Sequence, residues 1–275
     1  MQLMIAFRDR KASIVTSSSA WMECLDSIAV HTKLYKDRIW PLAFGIPALM
    51  EAFDDLAEDV RSNPSREYAR ALNTLYERII GLDQHLDQWN SRFVIPDDEI
   101  PDGTAYAGKG RLLGTLTSSI HFVTQESAQC KTMYWGLKIA LSVLRTDVSK
   151  LLEQVDRRAL MPLTTTACFL LPELDDPCHY AYLLARTFQW WDNTSTADMS
   201  TAYSFCTFPQ RIAWRWATCQ KGATFDELEL AFVGHSTDVR SSDFAGRLSE
   251  GIVDLLYWTP PVLDKQVRAS ERHLA

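Results

Sequence analysis

The chain has 275 residues, enough for one large domain with a real core, and 47% of them are apolar against 23% charged. Its 28 basic and 35 acidic side chains leave a formal charge of −7, which gives it no electrostatic reason to bind nucleic acid or an anionic membrane by itself. Six cysteines, none in a C-x-x-C pair, spell neither a zinc site nor a redox motif, and no run approaches the roughly 18 apolar residues of a membrane span. These features point to an intracellular protein without metal or cofactor.

Helical periodicity dominates in chain order. Residues 1–38 form an N-terminal extension whose apolar run is too short for a signal peptide. From residue 46, Ile46, Leu49, Met50, Phe53, Leu56, Ala57 and Val60 follow the i, i+3, i+4 rule, with Pro47 expected in the first turn, where a missing N–H costs nothing. Asn63 and Pro64 open a second helix that runs to about residue 89. Its stripe is Tyr68, Leu72, Leu75, Tyr76, Ile79, Leu82, Leu86 and Trp89. Prolines, glycines and acidic residues then make 94–110 a long loop. The period returns over 111–127 and over 131–156, the second being the expected central helix. Asp176 and Pro177 open another helix carrying Tyr180, Leu184, Phe188 and Trp191. Phe208 and Pro209 start one through 219, Thr224 and Glu227 make a capping box, and a last helix spans 244–257. With no alternating strand run, the expected fold is all-α: a single domain over 1–275, an irregular bundle of eight or nine helices.

Two motifs resemble catalytic signatures and fail on context. The loop stretch Gly103 to Gly110 reads GTAYAGKG, one residue from a phosphate-binding loop. Gly110 stands where magnesium needs a hydroxyl, and no buried strand precedes it. Only Lys109 keeps interest there, as a lid contact. Asp54, Asp55, Glu58 and Asp59 resemble a diphosphate–magnesium motif, but with Glu51 they fall opposite the apolar arc and are expected to form a solvated face.

Site candidates are therefore few. Asp176 and His179, beside Cys178, are the acid–base candidates. The aromatic pairs Tyr134–Trp135 and Trp190–Trp191, with Phe188 and Trp214, are the candidate lining of an apolar ligand pocket, because consecutive aromatics on a helix cannot all face one core. The competing reading of these aromatics is ordinary packing.

Five segments in order resemble the regulatory region of fungal binuclear-zinc-cluster transcription factors. They are RIWPLAFGIPALMEAFDDL (38–56), LNTLYERIIGLDQHLDQWNSRF (72–93), MYWGLKIALSVL (133–144), YAYLLARTFQWW (180–191) and FCTFPQRIAWRWA (205–217). The family's six-cysteine DNA-binding cluster has no counterpart here. The resemblance implies a helical regulatory domain, nuclear, of a metabolic or secondary-metabolite regulator. Such a domain takes a small-molecule effector or a protein partner, including a second copy as a homodimer, and does not contact DNA by itself. The alternative is a cytoplasmic, cofactor-free isomerase or cyclase of fungal secondary metabolism, repurposed from the same fold.

Overall fold

A computed structural model describes residues 2–12, 35–62, 66–92, 120, 122, 124–158, 177–187, 208–213 and 216–217. Among these residues the structure is helical and contains no strand. The helices are α1 (Gln2–Asp9), α2 (Tyr35–Ser62), α3 (Arg66–Arg92), α4 (Gln125–Arg158), α5 (Pro177–Arg186) and a short α6 over 208–213. The expected loop at 94–110, the capping box at Thr224 and the helix over 244–257 lie outside the described residues. None of the described helices is long and apolar enough to cross a membrane.

Helices α2 and α3 pair as an antiparallel hairpin, with Gly45 of α2 against Leu82 of α3 at 3.4 Å from its would-be Cβ. Both lie on α4, which also carries α5, so α4 is the axis around which the others pack. Its sequence explains the position. Every residue of α4 from Lys131 to Ser142 is buried, and a helix covered on all sides belongs at the centre of a bundle. The cover includes Ala128, Met133, Leu137, Ile139, Ala140 and Leu141, each under 4% exposed.

The polar groups of this buried helix are provided for locally. Thr124 caps its start: the hydroxyl oxygen accepts from the Ser127 N–H at 3.1 Å, and the Thr124 carbonyl accepts the first helical bond from Ala128. Inside the helix, the Thr132 and Thr146 hydroxyls donate to the carbonyls of Ala128 and Ser142, at 2.7 and 2.9 Å. At the end of α5, the Leu184 carbonyl accepts from both the N–H and the hydroxyl of Thr187, and the Arg186 carbonyl accepts from the Ile120 N–H.

Two helix boundaries differ from the sequence expectation. Helix α2 begins at Tyr35, so Pro41 and Pro47 both stand inside it instead of Pro47 opening it. Each proline removes one ladder bond and is unfavourable in a helix interior by about 3 kcal/mol. The stripe Ile39, Ala43, Ile46 and Met50, all within 2% of full burial, runs across both prolines, and its packing outweighs them. The helix expected over 111–127 does not reach 127 as a separate element. Residues 120 and 122 are not helical, and 125–127 are the first turn of α4. The cap at Thr124 sets that boundary, a signal that the apolar period of the segment concealed.

The N-terminal extension contains a docked helix. Leu3, Ala6 and Phe7 of α1 are buried, and the Phe7 ring meets Phe208 of α6 edge-on at 5.0 Å. Helix α6 in turn approaches α4 so closely that a Cβ on Gly136 would lie 2.8 Å from the Pro209 side chain.

Candidate functional site

The densest chemistry among the described residues is a polar seam between α3 and α4. On α3, Asp83, Asp87 and Asn90 stand at i, i+4 and i+7, sharing the face that also buries Ile79 and Leu86. On α4, Lys131, Tyr134, Lys138 and Arg145 follow helical spacing along one side. The helices run antiparallel, so the two rows mate in reverse order.

Lys138 is the centre. Its side chain is 1% exposed, and the ammonium donates to Asp83 Oδ1 at 2.7 Å and to Asp87 Oδ2 at 3.1 Å. The Tyr134 hydroxyl donates to Asp87 Oδ1 at 2.8 Å. Lys131 donates to Asn90 Oδ1 at 3.2 Å, and Arg145 places Nη1 3.9 Å from Asp83 Oδ2. Asp83 thus meets the buried cations Lys138 and Arg145, while Asp87 shares Lys138 and stays half exposed.

Burial raises the Asp83 carboxyl above its ordinary value; the hydrogen bond and charge of Lys138 pull it down, but less. Tyr134 is also pushed up, first by burial and then by the neighbouring Tyr180 and Asp87, so its phenol keeps its proton. The crevice lined by Ile79, Asp83, Lys138, Leu141, Ser142 and Arg145 leaves no room for a water molecule. Inside that crevice Lys138 has no space for a substrate. Its bonds tie α4 to α3.

The aromatic candidates resolve unevenly. Tyr134 and Trp135 are both buried although they are adjacent, because α4 is enclosed on opposite sides. Tyr134 stacks on Trp89 of α3 at 6.4 Å and meets Tyr180 of α5 edge-on at 6.1 Å, whereas Trp135 packs against Phe122 at 6.2 Å. The geometry brings Tyr134 into the seam and turns Trp135 away from it. Phe188, Trp190, Trp191 and Trp214 lie outside the described residues. So does Asp176, while His179 is half-buried with its ring edge-on to Tyr180 at 5.5 Å. No group of three His, Cys, Asp or Glu side chains able to hold a metal occurs among the described residues.

A second polar cluster sits at the end of α1. The Arg10 guanidinium, 6% exposed, grips Asp54 of α2 through two hydrogen bonds of 2.6 and 2.8 Å. The Ala12 N–H donates to Glu51 Oε2 at 2.9 Å. Glu51 and Asp54 thus depart from the fully solvated face expected of them: they hold the N-terminal segment, while Asp55, Glu58 and Asp59 are exposed.

The seam residues Asp83, Asp87 and Lys138 were not singled out from the sequence. A signal was present: Asp83 interrupts the buried face between Ile79 and Leu86, and Lys138 stands inside the apolar run of α4. Charges placed on a buried stripe need partners, and two such stripes of opposite sign pair with each other. No family model, no curated protein and no solved structure matches the chain.

Proposed function

We propose that the chain is a regulatory-type helical domain, resembling the regulatory region of fungal zinc-cluster transcription factors, that takes a small effector or a protein partner and does not bind DNA by itself. The observation that carries this reading is the Lys138–Asp83–Asp87 seam, in which a buried ammonium meets two partly exposed carboxylates. An ion pair of this kind adds little net stability over apolar packing, and its best-attested use is to specify register. On this reading the ion pairs tie α3 to α4, and an effector or partner that binds one packing of these helices better than another shifts the population toward it. Tyr134 joins that seam to α5 through Tyr180, so a change in α5 packing reaches the ion pairs directly. On this reading the protein works in the nucleus, on genes of fungal metabolism.

The test tethers the full chain to an unrelated DNA-binding module upstream of a reporter in a fungal cell. The expected result is reporter output that changes with the tethered chain, and changes again with Lys138→Met at equal protein level. Tight binding of the untethered chain to promoter DNA at physiological salt overturns the reading, since a chain of charge −7 gains nothing from phosphates. Turnover of a metabolite by the purified chain overturns it in favour of an isomerase or cyclase.

A further inference from the structure

We infer that α1 is a displaceable latch, and that its seat on α2 and α6 takes a partner helix with apolar residues at i, i+3 and i+4 that closes on an arginine. Helix α1 itself has that pattern. Leu3, Ala6 and Phe7 are 5%, 5% and 1% exposed, whereas Ile5 on the opposite side is 39% exposed. Arg10, one residue past the helix end, carries the charge. An apolar stripe laid into a groove is a recurring way of recognising a helical peptide, read through anchors at these spacings.

The seat has an apolar floor and an acidic rim. Phe208 of α6 receives the Phe7 ring edge-on at 5.0 Å. One turn further along, α2 presents Asp54 and Glu51. Asp54 takes both prongs of Arg10 at 2.6 and 2.8 Å, and Glu51 accepts from the Ala12 N–H at 2.9 Å. Charge complementarity therefore selects a helix with a basic end and disfavours one with an acidic end.

Eight residues are too few to persist as an isolated helix in water, so α1 owes its helical form to the seat. Ordering it on docking offsets part of the contact energy, which places α1 among the segments that open before the core does. A competing helix uses the same Phe208 and Asp54, so docking in cis and docking in trans exclude each other. The apparent affinity for the partner is then the intrinsic one reduced by the fraction of molecules whose seat is open. These contacts hold whatever the chain controls, so the latch does not rest on the regulatory reading.

Fluorescence anisotropy of a labelled synthetic peptide of residues 1–12, titrated with the full chain, tests the seat. Arg10→Ala loosens the chain's own α1 but leaves the peptide its arginine, so this variant should bind the peptide at least about tenfold more tightly than wild type. Asp54→Asn weakens the chain's helix and the peptide alike and should gain nothing. A peptide carrying Arg10→Ala should lose the gain. Hydrogen exchange should show the core of α4 as protected in each variant as in wild type. Equal binding by wild type and Arg10→Ala overturns the inference, and so does an equal gain in Asp54→Asn, the mark of general loosening. Loss of α4 protection in Arg10→Ala overturns it too, because α1 then belongs to the core. Wild-type dimers in sedimentation, dispersed by Asp54→Asn, overturn the partner helix in favour of a second copy that exchanges α1.

Discussion

Arg10 adopts φ 51°, the left-handed conformation, because it occupies the position that ends α1. The Lys11 N–H reaches back to the Ala6 carbonyl at 3.1 Å and the Arg10 N–H to Phe7 at 3.4 Å, the paired closing bonds of a Schellman motif. Glycine is the usual residue there, since a Cβ in this conformation costs about 1 kcal/mol. Arginine is retained at that cost because its fork is aimed at Asp54. Two variants separate the effects. Arg10→Ala should destabilise the protein by about 2–3 kcal/mol, losing a charge-assisted bidentate pair while keeping the strained backbone. Arg10→Gly loses the same pair but relieves the strain, so it should be about 1 kcal/mol more stable than Arg10→Ala in urea denaturation. The sequence did not reveal this arrangement. An arginine among Arg8, Asp9 and Lys11 reads as a solvated charge until the distant Asp54 is seen opposite it.

Glycines in the helices show how the same residue type serves different ends. Gly136 lies at the crossing of α4 and α6, where an added methyl would sit 2.8 Å from the Pro209 Cβ and 2.9 Å from its Cα. A prolyl ring and backbone cannot swing aside, so Gly136→Ala should force the two helices apart and destabilise by about 1–3 kcal/mol. Gly81 on α3 has nothing within 4 Å of its would-be Cβ. Gly81→Ala should stabilise by about 0.5–1 kcal/mol through helix propensity. Thermal unfolding of both variants checks the pair, and equal shifts in one direction would contradict the close approach at Gly136. The helices themselves were largely legible. The apolar stripe of α3 from Leu72 to Trp89 is buried as its period demanded, apart from Leu82, which is partly covered. Boundaries were less so: Pro47 read as a first-turn residue, yet tertiary packing carries α2 through it and through Pro41.

The described helices are organised around α4, and the α3–α4 seam places the buried Lys138 ammonium in that interior. Lys138→Met leaves Asp83 buried without its cation and should destabilise by about 3 kcal/mol in chemical denaturation. The loss falls short of a fully uncompensated charge because Asp83, already raised by burial, can take up a proton. Adding Asp83→Asn to Lys138→Met should recover part of the loss, since the orphaned carboxylate is removed together with its partner. Strict additivity of the two single changes would show that Lys138 and Asp83 do not act as a pair.

The sequence by itself determined that this is a helical protein, which of its faces are apolar, and that the run from 131 to 156 lies at the centre. Helical period and capping are local properties that each segment carries alone. It also placed charges on two buried stripes without saying that they meet. Only the packing decided that Asp83 and Asp87 face Lys138, that Tyr134 points into that seam while Trp135 points away, and that Arg10 spans to Asp54. These are pairings between residues 44 to 55 positions apart. Such contacts have no periodic trace in the chain, because they depend on the angle and offset at which whole helices come together.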